Sequence, residues 1–350
     1  VTVPAFLLEL RSRNVQIWTE GDQLRLTAPA GVLTPALRDQ LRQEKGAIVS
    51  FLRSADALAR QDPAIVPLQP NGRRIPVFAA PGHNGNVFSL RFLAQQLGED
   101  QPLFGLQPPG VDGEGEPLTD VEELAAFFAQ RIRAFRPDGP YIIAGHCAGG
   151  TIAFELARQL QQQGAPVAFV AQFGSPFPTL FRSLPQFLWR LKCQAEWLRN
   201  HARALAPLSN EERLRYITAK LAERRRQRLA AREAAATAPD PELVRRARVE
   251  AATLRALSRY TPRHFAGRLV LFFPNDTWLR PGHPMLHWRA VASDVEEYCG
   301  PDGCQGDLML HEPNVGVIAA QFEACLQRIE AKVTSPASRQ DRVPTTASAG

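Results

Sequence analysis

Three things are scarce in this chain of 350 residues: lysine, cysteines in any regular spacing, and long apolar runs. No stretch approaches the roughly 20 apolar residues needed to cross a bilayer, so a membrane-spanning protein is not expected. The cysteines at 147, 193, 299, 304 and 325 form no CxxC pair, which leaves neither zinc-ligand spacing nor a disulfide framework. Cys299 and Cys304 are neighbours in sequence, yet free thiols are expected in a reducing cytosol. A basic leader is also missing. Residues 1–10 carry Glu9 inside their apolar stretch, so no secretory signal is expected and the cytoplasm is the expected location. Lysine occurs only at 45, 192, 220 and 332, so the net charge of +6 comes from arginine, crowded between Arg182 and Arg268 around Arg224-Arg225-Arg226. Interspersed glutamates and the lack of stacking aromatics argue against nucleic acid as the partner of that run. A solvated helical face or a surface for an acidic protein fits it better.

What is present is ordinary globular material, 45% hydrophobic and 22% charged, with length for about two domains at roughly 150 residues each. Residues 1–53 read as one small unit. Phe6, Leu7 and Leu10 lie at helical spacing, and Asn14 ends that helix. Val15–Thr19 and Leu24–Thr27 alternate around the turn residues Glu20-Gly21-Asp22-Gln23, the pattern of a hairpin. Thr34-Pro35 suits the N-cap and first turn of a helix carrying Leu37 and Leu41, and a short helix with Ile48, Phe51 and Leu52 follows Gly46. The order α-β-β-α-α in about 50 residues is marginal alone and gains from dimerisation or attachment. The segments Leu7-Leu8-Glu9-Leu10-Arg11, Val15-Gln16-Ile17-Trp18, Leu24-Arg25-Leu26 and Leu33-Thr34-Pro35 resemble the tubulysin-synthetase-type N-terminal docking domain of nonribosomal peptide synthetase subunits. The resemblance implies a homodimer that binds the C-terminal peptide of an upstream synthase subunit, commonly by adding a strand to the hairpin edge.

Residues 54–72, with prolines at 63, 67 and 70, read as a linker. Beyond it, short apolar runs at 75–80, 141–144, 167–171 and 269–273 alternate with helical stretches at 121–135 and 149–162, which argues for a parallel α/β sheet over 73–333. Between Pro176 and Pro262 strand signals give way to Arg/Ala/Leu-rich helical sequence, read as an inserted lid over 176–262. Residues 334–350 read as a disordered tail.

Chemistry concentrates in Gly145-His146-Cys147-Ala148-Gly149-Gly150, set between a strand and a helix. That is the context of a G-x-S-x-G nucleophile elbow, with cysteine as the nucleophile. The turn leaves no room for side chains at 145 and 149, and the helix N-terminus favours a thiolate and an oxyanion. The oxyanion donors expected are the Ala148 N–H and an N–H of His83 or Asn84, in a loop where Gly82 and Gly85 permit close approach.

Together with Ala256–Pro262, Gly267–Phe273, Trp288-Arg289 and Met309–Val315, these features resemble the type I thioesterase, an α/β-hydrolase, of polyketide and nonribosomal peptide synthases. The resemblance implies an acyl chain delivered on the phosphopantetheine of a carrier protein, taken up by Cys147 and released by hydrolysis, cyclisation or transfer to an amine or alcohol. It implies no cofactor or metal of the chain's own. The triad departs from the family. Where the acid commonly ends the strand after the nucleophile helix, the sequence reads Phe173-Gly174-Ser175; Asp276, one strand later, is the expected acid. The histidine's usual loop reads 301–308 without one, Cys304 or Gly306 taking its slot; His311 is the expected base, with His283 and His287 as alternatives. Two other functions stay open, a type II editing thioesterase and a non-catalytic subunit that binds carriers or docks synthases.

Overall fold

The computed structural model describes residues 6–7, 10, 15–20, 23–29, 32–52, 62–85, 87, 89–182, 209, 211, 218 and 241–334. In the N-terminal unit, Gln16–Glu20 (β1) and Gln23–Thr27 (β2) form an antiparallel hairpin, followed by helices at Pro35–Gln43 (α1) and 45–52 (α2). Thr34 caps α1, its Oγ1 accepting from the Leu37 N–H at 3.3 Å, with Pro35 in the first turn. Phe6, Leu10, Val15, Leu37, Leu41 and Ile48 make the small core. The expected α-β-β-α-α order holds through its described residues.

The larger unit is a seven-stranded sheet in the order β3-β5-β4-β6-β7-β8-β9. Its strands are Ile65–Gln69 (β3), Val77–Ala80 (β4), Leu103–Leu106 (β5), Tyr141–His146 (β6), Val167–Phe173 (β7), Phe265–Phe273 (β8) and Ala292–Cys299 (β9). All pair in parallel except β3, which runs antiparallel along the edge of β5. Helices Leu90–Leu97 (α3) and Val315–Thr334 (α7) pack on one face; Val121–Phe135 (α4) and Ala148–Gln162 (α5) cover the other. Pro241–Arg259 (α6) lies across the start of α5, where Val121, Ala148, Ala256, Leu257 and Tyr260 share a buried cluster.

Two readings of the sequence change. Residues 65–69, inside the stretch read as linker, are β3; Pro67 fits there because an edge strand needs no N–H on its outer side, and the register shifts between Pro67 and Gln69. Strands β5 and β9 escaped the sequence reading, β5 because Leu-Phe-Gly-Leu is short and β9 because its charged residues 294, 296 and 297 suit a half-exposed edge. Of the expected lid, α6 is helical as read, while 183–208, 210, 212–217 and 219–240 fall outside the described residues, as does the tail beyond Thr334.

Candidate active site

Strand β6 ends at His146 and α5 begins at Ala148, so Cys147 forms the bend between them with φ 53° and ψ −119°. Among the described residues it alone, glycines aside, has positive φ. That conformation costs about 1–3 kcal/mol and persists where the surroundings enforce it. Backbone bonds do so here: Cys147 N–H donates to Phe173 O at 2.9 Å, and Gly150 N–H donates to Cys147 O at 3.1 Å. The glycines are sterically required. A Cβ on Gly145 would stand 2.1 Å from Gly149 O, and one on Gly149 would stand 2.5 Å from Ala80 O and Pro81 O.

The Cys147 sulfur opens into a cavity of about 700 Å³. Burial pushes the thiol up from its ordinary value; the Ala148 N–H aimed at the sulfur pulls it down, and the negative charge of Asp307 raises it again. The net direction is upward, against the expectation that the helix N-terminus makes a ready thiolate. Desolvation outweighs one N–H and a helix dipole, so the thiol needs a proton acceptor. Among the described residues no side chain hydrogen-bonds to the sulfur.

His83 and Asn84 line the same cavity from the loop after β4, a turn closed by Gly85 N–H to Gly82 O at 3.0 Å. The His83 imidazole, partly exposed, has Nε2 3.5 Å from Glu250 Oε1 on α6, so that helix reaches over the expected oxyanion loop.

The histidines lining the cavity are His83, His146, His283 and His311. His311 packs at a tilt on Phe92, centroids 5.0 Å apart and planes at 50°, and its carbonyl accepts the N–H groups of Asn314 and Val315 where α7 begins. His283 caps a short 3-10 helix, Nδ1 accepting from Met285 N–H at 3.3 Å, and packs on Trp278. His287 does not line the cavity; it is exposed and edges onto Phe177. Asp276 is not brought to it either. Its exposed side chain opens the 3-10 helix Asp276–Leu279, and its charge acts on Cys299 instead. The carboxylate that lines the cavity is Asp307.

Of the positions where the expected acid and histidine are missing, Gly174 and either Cys304 or Gly306, both glycines have close neighbours. Gly174 has φ 54°, and a Cβ there would stand 2.8 Å from the Met309 sulfur. At Gly306 a Cβ would meet the Trp278 ring at 3.2 Å, so the indole takes the room of a side chain. Two residues that line the cavity, His146 of the elbow and Asp307 of the 301–308 loop, carry no sequence signal that marks them as part of a site. Burial lowers the His146 pKa, more than its bond to Gly306 raises it, so the ring is neutral. Its Nε2–H donates to Gly306 O at 2.9 Å and ties the 301–308 loop to the elbow. Among the described residues no cluster of side chains suits a metal ion, and no helix is long and apolar enough to cross a membrane.

The family model described as a thioesterase domain matches residues 75–292, and the one described as a TubC N-terminal docking domain matches residues 3–54. Indigoidine synthase of Dickeya dadantii (strain 3937) is 39% identical over 122 residues, 34% of this chain and 8% of that protein. Chondramide synthase cmdD of Chondromyces crocatus is 42% identical over 107 residues, 31% of this chain and 3% of that protein. The chain thus spans under a tenth of either relative. Among solved structures, the NocB thioesterase domain from the nocardicin cluster superposes with a TM-score of 0.53 at 20% identity, covering 76% of this chain and 100% of that one. The Vlm2 thioesterase domain, solved with a dodecadepsipeptide, gives 0.51 at 22%, covering 75% and 97%. At these identities the likeness is one of fold.

Proposed function

The chain belongs to the thioesterase-domain family and carries a TubC-type docking domain, and from that premise we propose that Cys147 takes an acyl chain from a carrier protein and releases it. The observation that carries this reading is the strained bend at Cys147, whose sulfur opens on a large cavity beside the Ala148 N–H. His311 takes the thiol proton as the sulfur attacks the pantetheine thioester, and the Ala148 and His83 N–H groups hold the oxyanion. Of the expected histidines, His311 and His283 line the cavity, and His283 spends Nδ1 on a backbone N–H, which favours His311. Asp276 is exposed and makes no hydrogen bond to His311 among the described residues, so it is left out of the proposed mechanism. The acyl-enzyme is a thioester, close in energy to the incoming one, so it stays reactive toward water, an alcohol or an amine. The docking domain dimerises and takes the C-terminal peptide of an upstream synthase subunit; exposed Trp18 and Leu26 on the hairpin offer apolar surface for either contact.

A second reading, a non-catalytic subunit that binds carriers, is favoured by the protonated thiol and its lack of a hydrogen-bonded imidazole among the described residues. Thiol release from an acyl N-acetylcysteamine thioester separates the two. The enzyme reading expects turnover that Cys147→Ala abolishes; equal, background rates in both proteins would leave only the binding role.

A further inference from the structure

In a nucleophile–histidine–acid triad the carboxylate bonds one ring nitrogen and so fixes the orientation of the imidazole. His311 has no such partner. Asp276 is exposed, and among the described residues neither ring nitrogen of His311 makes a hydrogen bond. Its backbone is held: His311 N–H donates to Leu308 O at 3.0 Å, and its carbonyl accepts from Val315 N–H at 3.0 Å. What meets its imidazole, among the described residues, is the ring of Phe92, centroids 5.0 Å apart and planes at 50°. Both side chains line the cavity into which the Cys147 sulfur opens. Phe92 is fixed in its turn. It lies on α3, packed against the core of that face of the sheet, and the Arg91 guanidinium carbon stands 4.6 Å from its ring centroid. One turn further along α3, Gln96 Nε2 donates to Glu312 Oε1 at 3.0 Å, on the residue after His311. Helix α3 thus grips residues 311–312 at two points. Because Arg91 already sets a cation at the Phe92 ring, what that ring offers His311 is orientation and not charge.

We propose that Phe92 is the positioning residue of His311: its ring takes the place of the triad acid and keeps the imidazole turned into the cavity, so that Cys147 and His311 work as a dyad braced by α3. The inference rests on His311 being the base. In acylation the imidazole takes the thiol proton as the Cys147 sulfur attacks the thioester carbonyl. The bond from that carbon to Cys147 forms, the bond to the pantetheine sulfur breaks, and the proton passes from the imidazole to the departing thiol. Atoms and charge balance between these groups, and no carboxylate is needed to hold a proton. What the step does need is an imidazole that stays in reach, and a single aromatic contact worth about ten-fold supplies that.

The test measures kcat and KM for thiol release from an acyl N-acetylcysteamine thioester by the full chain, as a double-mutant cycle between Phe92 and His311. Phe92→Leu keeps an apolar wall without a ring: kcat falls about ten-fold and KM shifts by less than about two-fold. Phe92→Tyr restores a ring and recovers most of kcat. In a His311→Ala background Phe92→Leu costs nothing further. The same loss in that background, or an unchanged kcat with or without a rise in KM, makes Phe92 a wall of the cavity and overturns the positioning role alone. His311→Ala no slower than the parent overturns the base and the role of Phe92 with it. A parent protein without turnover overturns the thioesterase reading itself. Should Phe92→Leu fail to fold, Phe92→Met, also ringless, enters the same cycle.

Discussion

The Tyr260 hydroxyl donates to Glu155 Oε2 at 2.7 Å, joining the residue just past α6 to the middle of α5. Both side chains are buried, and the carboxylate also takes a two-pronged contact from Arg158 at 2.8 and 2.6 Å and one from Gln159 at 2.9 Å. This network holds the helix that bears Glu250 against the helix that starts at the nucleophile. Tyr260→Phe keeps the ring and removes one bond to a buried charge, so a loss of about 1.5–3 kcal/mol is expected in urea unfolding. A change within error would make the network irrelevant to stability.

The same pair sets a pH window. Burial raises the Glu155 carboxyl, but its bonds to Arg158, Gln159 and Tyr260 outweigh that and hold it below its ordinary value. Burial, then the Glu155 charge, raises the Tyr260 phenol. A depressed acid contributes stability that is complete above its unfolded pKa of about 4.3 and is lost as pH falls through the folded one. The raised phenol contributes stability that is complete below about 10 and is lost as pH rises beyond it. Thermal unfolding across pH should show both limbs, and Glu155→Gln should flatten the acid limb.

The elbow was legible in sequence because its physics is local: a strand, a bend that admits only glycine at 145 and 149, and a helix. The hairpin at 15–27 and the α1 cap were legible for the same reason. The acid was not, since it depends on which loops the sheet order gathers at one end, whereas His311, the expected base, does line the cavity. Asp276 follows β8 but its side chain is exposed outside the cavity, while Asp307, passed over in the 301–308 loop where Cys304 or Gly306 takes the histidine's slot, lines it. Edge strand β3 was lost to its own proline, which local propensity counts against a strand and edge position excuses.

Burial and the Asp307 charge both raise the Cys147 thiol, so alkylation by iodoacetamide should rise with pH to a midpoint above the ordinary thiol value of about 8.5. Removing the charge in Asp307→Asn should move that midpoint down. A midpoint below 8.5, of the usual order for activated thiols, would contradict the electrostatics described for the cavity.

His311 and Asp276 separate cleanly by mutation. His311→Ala should slow thioester turnover about 10²–10⁴-fold, the range for a lost general base. Asp276→Asn should change it by less than about two-fold, as for an exposed surface group. The reverse order would move the catalytic base and acid away from the cavity.

The sulfur of Cys147 as the acyl acceptor is tested most directly by intact-protein mass spectrometry after brief mixing with an acyl N-acetylcysteamine thioester. The account predicts one acyl group added to the parent chain, located at Cys147, and none in Cys147→Ala. An adduct that persists in Cys147→Ala, or none in the parent protein under conditions where free cysteine is acylated, would contradict it.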